Sequence, residues 1–260
     1  MRDLLSIGTS RGCEMIGTGI GLGLSGYTLS RNAFKPDMVS GLQLWLDAAD
    51  STTLYQSAGG ALATADGDPV GQWQDKSGNS RHAGQTDGTK KPSLKTLVQN
   101  GKNAILNDGV NDILNLSSNL SLSDITILGV IIRPNNNVRT IFTGSTSNSF
   151  QLAWDPDNKF YNRGDGGSTF DSSSAYTQTG CHLLDYRYDS ANGSSGGFDG
   201  LAYSGSGTIT SPFKILNITT LSNVQNATSS YCELLVYNLR LVDLDLNLVR
   251  NYLKTKWGIA

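Results

Sequence analysis

The tightest constraint on this chain is its punctuation. Short runs of alternating or β-branched residues are each closed within a few positions by Gly, Pro, Asn, Asp or Ser. Leu42, Leu44 and Leu46 alternate with Gln43 and Trp45, and residues 125–132 form a β-branched run stopped at Pro134. A period of two puts one face of a strand on a core, and β-branched residues suit a pleated surface. Further strands are expected at 139–143, 149–154, 182–188, 200–204, 213–219 and 231–237. Residues 163–174 and 192–197 read as Gly/Ser/Asp loops. A long polar stretch runs to about residue 104, with turns at Gly59-Gly60, Asp66-Gly67-Asp68-Pro69 and Ser77-Gly78-Asn79. Many short strands with closely spaced turns predict an all-β antiparallel sandwich or jelly roll. With 16% charged residues and 30 glycines, little is left for long amphipathic helices.

One helix interrupts this pattern near the end. Asp243 is placed to cap it and Asp245 suits its first turn. Leu246, Val249, Leu253 and Trp257 recur at helical spacing, Lys254 and Lys256 sit in the last turn, and Gly258 stops it. The helix is expected to lie across the sandwich and bury Trp257.

Residues 1–37 differ from the rest. Gly17, Gly19, Gly21 and Gly23 alternate with aliphatic residues, which gives an extended arm with side chains on one face and no core of its own. Two readings stand: the arm packs on its own domain, or Ile16, Ile20, Leu22, Leu24 and Tyr27 add it to a partner. Residues 38–260 are expected to form the sandwich.

Composition narrows the chemistry. The net charge is −2, and no Lys/Arg stripe marks a nucleic-acid footprint, so no nucleic acid is expected. No run of about 20 apolar residues is present for a membrane span, and Glu14 and the glycines spoil residues 16–29 as a signal-peptide core. Synthesis in the cytoplasm follows as the expectation. Cys13, Cys181 and Cys232 are scattered and odd in number. They read as free thiols, with a Cys181–Cys232 bridge left open.

Four segments occur in a telling order. They are Gly41-Leu-Gln-Leu-Trp-Leu-Asp-Ala-Ala-Asp50, Val70-Gly-Gln-Trp-Gln-Asp-Lys-Ser-Gly-Asn79 with His82-Ala83, Gly101-Lys-Asn-Ala-Ile-Leu-Asn-Asp-Gly-Val-Asn-Asp112, and Glu233-Leu-Leu-Val-Tyr237 followed by Tyr252-Leu-Lys-Thr-Lys-Trp-Gly258. Together they resemble the laminin G-like domain of the concanavalin A-like lectin-glucanase superfamily, of the type found in bacteriophage tail, fibre and capsid-associated proteins. The resemblance spans about residues 40–260. It implies a concanavalin A-like jelly roll and a virion structural protein, made in the host cytoplasm. Residues 1–37 would anchor it to other virion proteins, in a homo-oligomer. In such a sandwich the first strand pairs near the last, so that Trp45 and Tyr237 come from the two chain ends of one sheet. Trp73 would anchor the long early loop and Trp257 would close one end of the core.

The expectation is a chain that is not an enzyme. Glycoside hydrolysis needs two carboxyl groups about the scissile bond. The glucanases of this fold carry two Glu on one strand, whereas Glu14 and Glu233 are the only Glu here. His82 and His182 have no nucleophile elbow beside them, zinc would need more His or paired Cys, and no phosphate-binding loop is present. No cofactor is expected. Calcium stays open, since Asp108, Asn111 and Asp112, or Asp155, Asp157 and Asn158, offer oxygen ligands; both are also ordinary turn sequences. The alternative function is a glycan-binding lectin module for host adsorption, with Trp154, Asp157, Tyr161 and Tyr188 as the candidate ligand-binding residues. Aromatic faces stack on sugars and Asp accepts their hydroxyls. The run from Trp154 to Tyr161 could equally be a hairpin with a buried tryptophan.

Overall fold

The computed structural model describes residues 33–133, 179–199 and 228–260 in full, and between them the backbone of strands at 139–143, 151–154, 159–163, 169–175, 201–203, 205–206 and 213–218. The arm residues Ile16, Ile20, Leu22, Leu24 and Tyr27 lie outside the described residues.

The chain opens with β1 (Leu42–Asp47), β2 (Leu54–Tyr55), β3 (Gln72–Trp73), β4 (Ala83–Gly84), β5 (Ser93–Gln99) and β6 (Lys102–Asn107). Then come β7 (Leu114–Leu122), β8 (Ile125–Arg133), β9 (Arg139–Thr143), β10 (Gln151–Trp154), β11 (Lys159–Arg163) and β12 (Thr169–Ala175). β13 (Gly180–Asp189), β14 (Gly193–Phe198), β15 (Leu201–Tyr203), β16 (Gly205–Ser206), β17 (Phe213–Ile218) and β18 (Ser229–Tyr237) precede the helix α1 (Asp243–Trp257). Every strand pairing is antiparallel. One sheet runs β15-β14-β13-β8-β18-β6-β5, with β1 also on β18; the other runs β16-β12-β11-β10-β9-β17-β7-β4-β3-β2. The expected all-β sandwich is present.

β18 organises the first sheet. One of its edges pairs with β8 and the other is shared: β6 takes Ser229–Tyr231, and β1 takes Glu233–Tyr237. Leu42 lies opposite Tyr237 and Trp45 opposite Leu235, so the first strand does pair with the last.

The first sheet is buried on both faces. Its inner face brings Leu44, Leu46, Ile127, Leu184, Tyr186 and Leu234 against Leu54, Trp73, Ala83, Leu114 and Leu116 of the second sheet. Its outer face brings Trp45, Leu128, Val130, Leu183, Leu235 and Tyr237 against Leu246, Val249, Leu253 and Trp257 of α1. This explains why residues 125–132 read as a continuous apolar run and not as an alternating one. Each buried aliphatic or aromatic side chain of α1 contributes about 1.5–3 kcal/mol of burial. The second sheet has no helix over it among the described residues, and its β7 alternates: Leu114, Leu116 and Leu120 are buried while Asn115, Ser117 and Asn119 are exposed.

Several local expectations need correction. Asp243 is the first residue of α1 and not its cap; Val242 holds that position, with no side-chain hydrogen bond to the helix. Gly258 does end the helix, at φ 67°, and its N–H donates to the Lys254 carbonyl. The loop expected at 163–174 holds most of β12, and the one at 192–197 is β14. Glycine weakens an isolated strand, but in β14 it makes room. Arg250 of α1 donates twice to Asp185 of β13, Nε to Oδ2 and Nη2 to Oδ1, each at 2.8 Å. A Cβ on the neighbouring Gly197 would lie 2.5 Å from both Asp185 Oδ2 and Arg250 Nη2. Burial pushes the Asp185 carboxyl up while Arg250 holds it down. The bidentate pair is what makes this buried charge tolerable.

The cysteine question also resolves. Cys181 and Cys232 are free thiols, on β13 and β18 with β8 between them. Two strand spacings separate their backbones by about 9.6 Å, beyond the roughly 7 Å ceiling for a disulfide. Their side chains still hydrogen-bond, and burial pushes the Cys232 thiol up.

Gly197→Ala is expected to lower stability by about 1–3 kcal/mol, the usual penalty of overpacking. Urea unfolding at neutral pH reads it out as a lower midpoint at unchanged slope.

Candidate functional site

Three of the four ordered segments of the sequence meet at one buried carboxylate. Glu233 of β18 has 0% exposure. Its Oε1 accepts from the Trp45 indole at 2.8 Å and the Tyr252 hydroxyl at 3.1 Å. Its Oε2 accepts from the Trp257 indole at 2.7 Å and Lys256 Nζ at 2.6 Å. Lys256 also reaches Asp47 at 2.6 Å, and Lys76 holds the other Asp47 oxygen at 2.9 Å and Asp50 at 2.8 Å. Burial and the nearby Asp47 push the Glu233 carboxyl up, and Lys256 holds it down.

Asp75 does similar work in the adjoining loop. Its carboxylate accepts from the backbone N–H groups of Trp45, Ser77 and Arg81 and from the Ser77 hydroxyl, all within 3.0 Å. His82 Nδ1 accepts from the Asp75 N–H at 3.0 Å. Trp45, Asp47, Asp75, Lys76, Glu233, Tyr252, Lys256 and Trp257 therefore form a framework that joins β1, β18, α1 and the loop after β3.

The uncovered sheet offers a different environment. Gln72, Gly84 and Asn115 lie side by side across β3, β4 and β7, with Gln72 opposite Gly84 and Gly84 opposite Asn115. Their neighbours Trp73, Ala83, Leu114 and Leu116 are in the core, so alternation places these three on the outer face. Here a cleft of about 470 Å³ is lined by Ser57, Gly71, Gly84, Gln85, Lys91 and Asn115. Glycine is required at its floor: a Cβ on Gly71 would sit 2.4 Å from the Gln56 carbonyl oxygen. Gln85 is pinned, its amide donating to the Ile113 carbonyl and accepting from the Asp87 N–H. Lys91 Nζ donates to the Gln56 carbonyl at 2.9 Å and keeps two N–H groups for a guest. Asn115 is exposed and, among the described residues, its amide has no partner. The backbone register carries the row on: Asn115 opposite Asn217, Asn217 opposite Thr143, Thr143 opposite Gln151, and Gln151 opposite Arg163.

Of the sequence-derived ligand residues, Tyr188 is described in full, Trp154 and Tyr161 by their backbone, and Asp157 lies outside the described residues. Trp154 ends β10 opposite Phe160, and Tyr161 lies in β11 opposite Ala153; both belong to the second sheet, and their side chains lie outside the described residues, as do Asp155, Asp157 and Asn158. Tyr188 is in the first sheet, half-buried against the inter-sheet core. Asp108, Asn111 and Asp112 do share one turn. Asp112 Oδ2 accepts the Asp108 N–H at 2.8 Å, and Asp108 Oδ1 accepts the N–H groups of Val110 and Asn111. These carboxylates hold the turn. Burial, with the Asp108 charge beside it, pushes the Asp112 carboxyl up to about 6, against the hydrogen bond from Asp108 N–H. The cleft residues were missed because their sequence carries turn signals only. The one usable sign was alternation in β7, which sets Asn115 apart from Leu114 and Leu116.

No family model matches the chain, and no curated protein matches it in sequence. Solved structures do match in fold. A Trypanosoma rangeli sialidase in complex with sialic acid is 12% identical over 84% of this chain, with a TM-score of 0.53. The binding domain of Paraclostridial Mosquitocidal Protein 1 is 11% identical over 84%, with a TM-score of 0.59. The binding domain of botulinum neurotoxin serotype D is 14% identical over 86%, with a TM-score of 0.53. The chain spans 33% of the sialidase and 53% and 54% of the two binding domains. At these identities the likeness is one of fold. The expectation that the chain is not an enzyme is corrected: sialidases share this fold as binding domains do, so scarcity of Glu and His is no ground for excluding catalysis. No helix among the described residues is long and apolar enough to cross a membrane.

Two outcomes are expected. Glu233→Gln should destabilise the fold by about 3–5 kcal/mol in thermal or denaturant unfolding, since it removes the buried charge on which the Trp45 and Trp257 indoles, the Tyr252 hydroxyl and Lys256 converge. For Asp112, the folded state holds its proton more tightly than the unfolded chain, whose carboxyl titrates near 4. Its contribution to stability is therefore present at and below about pH 4 and is lost as pH rises through about 6. Asp112→Asn should flatten this part of the stability–pH curve and gain on the order of 1 kcal/mol at pH 8.

Proposed function

We propose that this chain is a lectin-like carbohydrate-binding module that holds a saccharide against the outer face of its second sheet. The observation that carries this reading is the cleft at Gly71 and Gly84. Its floor is bare backbone, which lets a flat ring approach closely. Its walls present the Asn115 amide, the Ser57 hydroxyl and the Lys91 ammonium, groups that exchange hydrogen bonds with sugar hydroxyls. The row Gln72, Gly84 and Asn115 runs along the strand-to-strand direction, which suits an oligosaccharide better than a single ring. Fold likeness to toxin binding domains is consistent with this reading. The setting we propose is a virion protein, attached through residues 1–37. It rests on the order of the four sequence segments, three of which supply residues to the Glu233 framework.

A glycan array followed by calorimetry tests the module. A neutral oligosaccharide should bind the full chain, and Asn115→Ala should weaken it about five- to tenfold, the worth of one hydrogen bond. Gly84→Leu should abolish binding with the fold intact, because a Cβ there meets only the Gly71 carbonyl oxygen at an ordinary 3.6 Å. Binding that survives both substitutions places the saccharide elsewhere and removes the reading.

A further inference from the structure

A second cavity lies on the first sheet, where the β13–β14 hairpin meets the connection from β18 to α1. It has a volume of about 440 Å³ and is lined by Arg187, Asp189, Asn192, Arg240, Val242 and Asp243. Both guanidiniums are held rigidly by neutral acceptors. Arg240 Nη1 donates to the carbonyls of Arg187 and Gly193, at 3.1 and 2.9 Å, and Nη2 to the Ser195 hydroxyl at 2.8 Å. Arg187 Nη1 donates to the Leu241 carbonyl at 2.9 Å.

The carboxylates that balance them are poorly engaged. Asp189 spends its oxygens on the backbone and amide N–H groups of Asn192 and stands 3.9 Å from Arg240 Nε. Asp243 meets Arg187 at 2.7 Å, yet its side chain is 82% exposed against 16% for Arg187. The cation is fixed and half enclosed, while its anion hangs in solvent and can be replaced. Burial and the neighbouring Arg187 charge both push the Arg240 guanidinium down, so a further negative charge relieves the site. The first turn of α1 also opens here, without a side-chain cap and with its positive dipole end outward.

We propose that this cavity binds an acidic saccharide, whose carboxylate or sulfate ester takes the place of Asp243 on Arg187. A planar guanidinium fork matches such an oxyanion. The Asn192 amide oxygen would accept from a ring hydroxyl; this group distinguishes a polyhydroxylated acid from a bare ion. The site is on the other sheet from the Gly84 cleft, so either reading can fail without the other.

Calorimetry on the full chain tests it with four probes: a hyaluronan tetrasaccharide, a chondroitin sulfate tetrasaccharide, neutral chitotetraose and inorganic sulfate. The acidic saccharides should bind and weaken steeply between about 50 and 300 mM salt. Arg187→Gln should reduce their affinity by about tenfold or more, the worth of a charge-assisted hydrogen bond. Asp243→Asn should raise it several-fold by removing the competing charge, a gain that an unfolded variant cannot produce. Gly84→Leu should leave it unchanged. In the Gly84→Leu chain, whose cleft is blocked, chitotetraose or inorganic sulfate binding as tightly as the acidic saccharides overturns the proposal, and so does an Asp243→Asn affinity no higher than that of the parent chain.

Discussion

Everything in this fold hangs from Glu233. A carboxylate with no solvent contact is unfavourable by several kcal/mol unless its charge and lone pairs are met. Here they are met by four donors: the indoles of Trp45 and Trp257, the Tyr252 hydroxyl and the Lys256 ammonium. Those donors come from β1 and α1, so satisfying one side chain pins the first strand and the last helix onto the central strand β18. Lys256 then shares its charge with Asp47, and Asp47 with Lys76, which draws in the loop after β3. The consequence is an asymmetric molecule. α1 is committed to the first sheet, whose outer face becomes core. The described part of the second sheet keeps a polar outer face, and that is where the Gly84 cleft lies.

The pattern of strands was legible because burial leaves a period in the sequence. The alternation of Leu44 and Leu46 with Trp45, the solid run at 125–132 and the helical spacing of Leu246, Val249, Leu253 and Trp257 each survive in the structure as core faces, while Leu42 falls on the Trp45 side across a register shift in β1. Trp73, read as the anchor of a polar stretch, is fully buried. What was not legible depends on partners distant in sequence. β14 looks like a loop because it is rich in glycine, yet its Gly197 is demanded by Asp185 and Arg250, one on the adjacent strand and the other on α1. Asp243 resembles a cap, but Arg187 claims its carboxylate. The Glu233 framework shows in the sequence only as conspicuous aromatic and charged residues. Its hydrogen bonds span up to 209 residues, and no local pattern encodes that.

The candidate site was less legible still. Aromatic residues beside loops point toward sugar stacking, and that drew attention to Trp154, Tyr161 and Tyr188. The proposed cleft is built from small and amide residues, which come together only when β3, β4 and β7 bring them into one row. A fold shared by sialidases and toxin binding domains carries no single function, so activity has to be argued from the groups a surface presents. Among the described residues those groups are amides, hydroxyls and fixed guanidiniums. All of them exchange hydrogen bonds with polyhydroxylated ligands.

Hydrogen exchange on the full chain, with and without a saturating neutral oligosaccharide, tests the account most directly. It separates the binding face from the framework in one measurement. The account predicts added protection at residues 71–72, 84–86 and 114–116, and none at Glu233 or residues 252–257, which are already locked. Protection centred on the Glu233 framework, or none anywhere when binding is demonstrable, would contradict it.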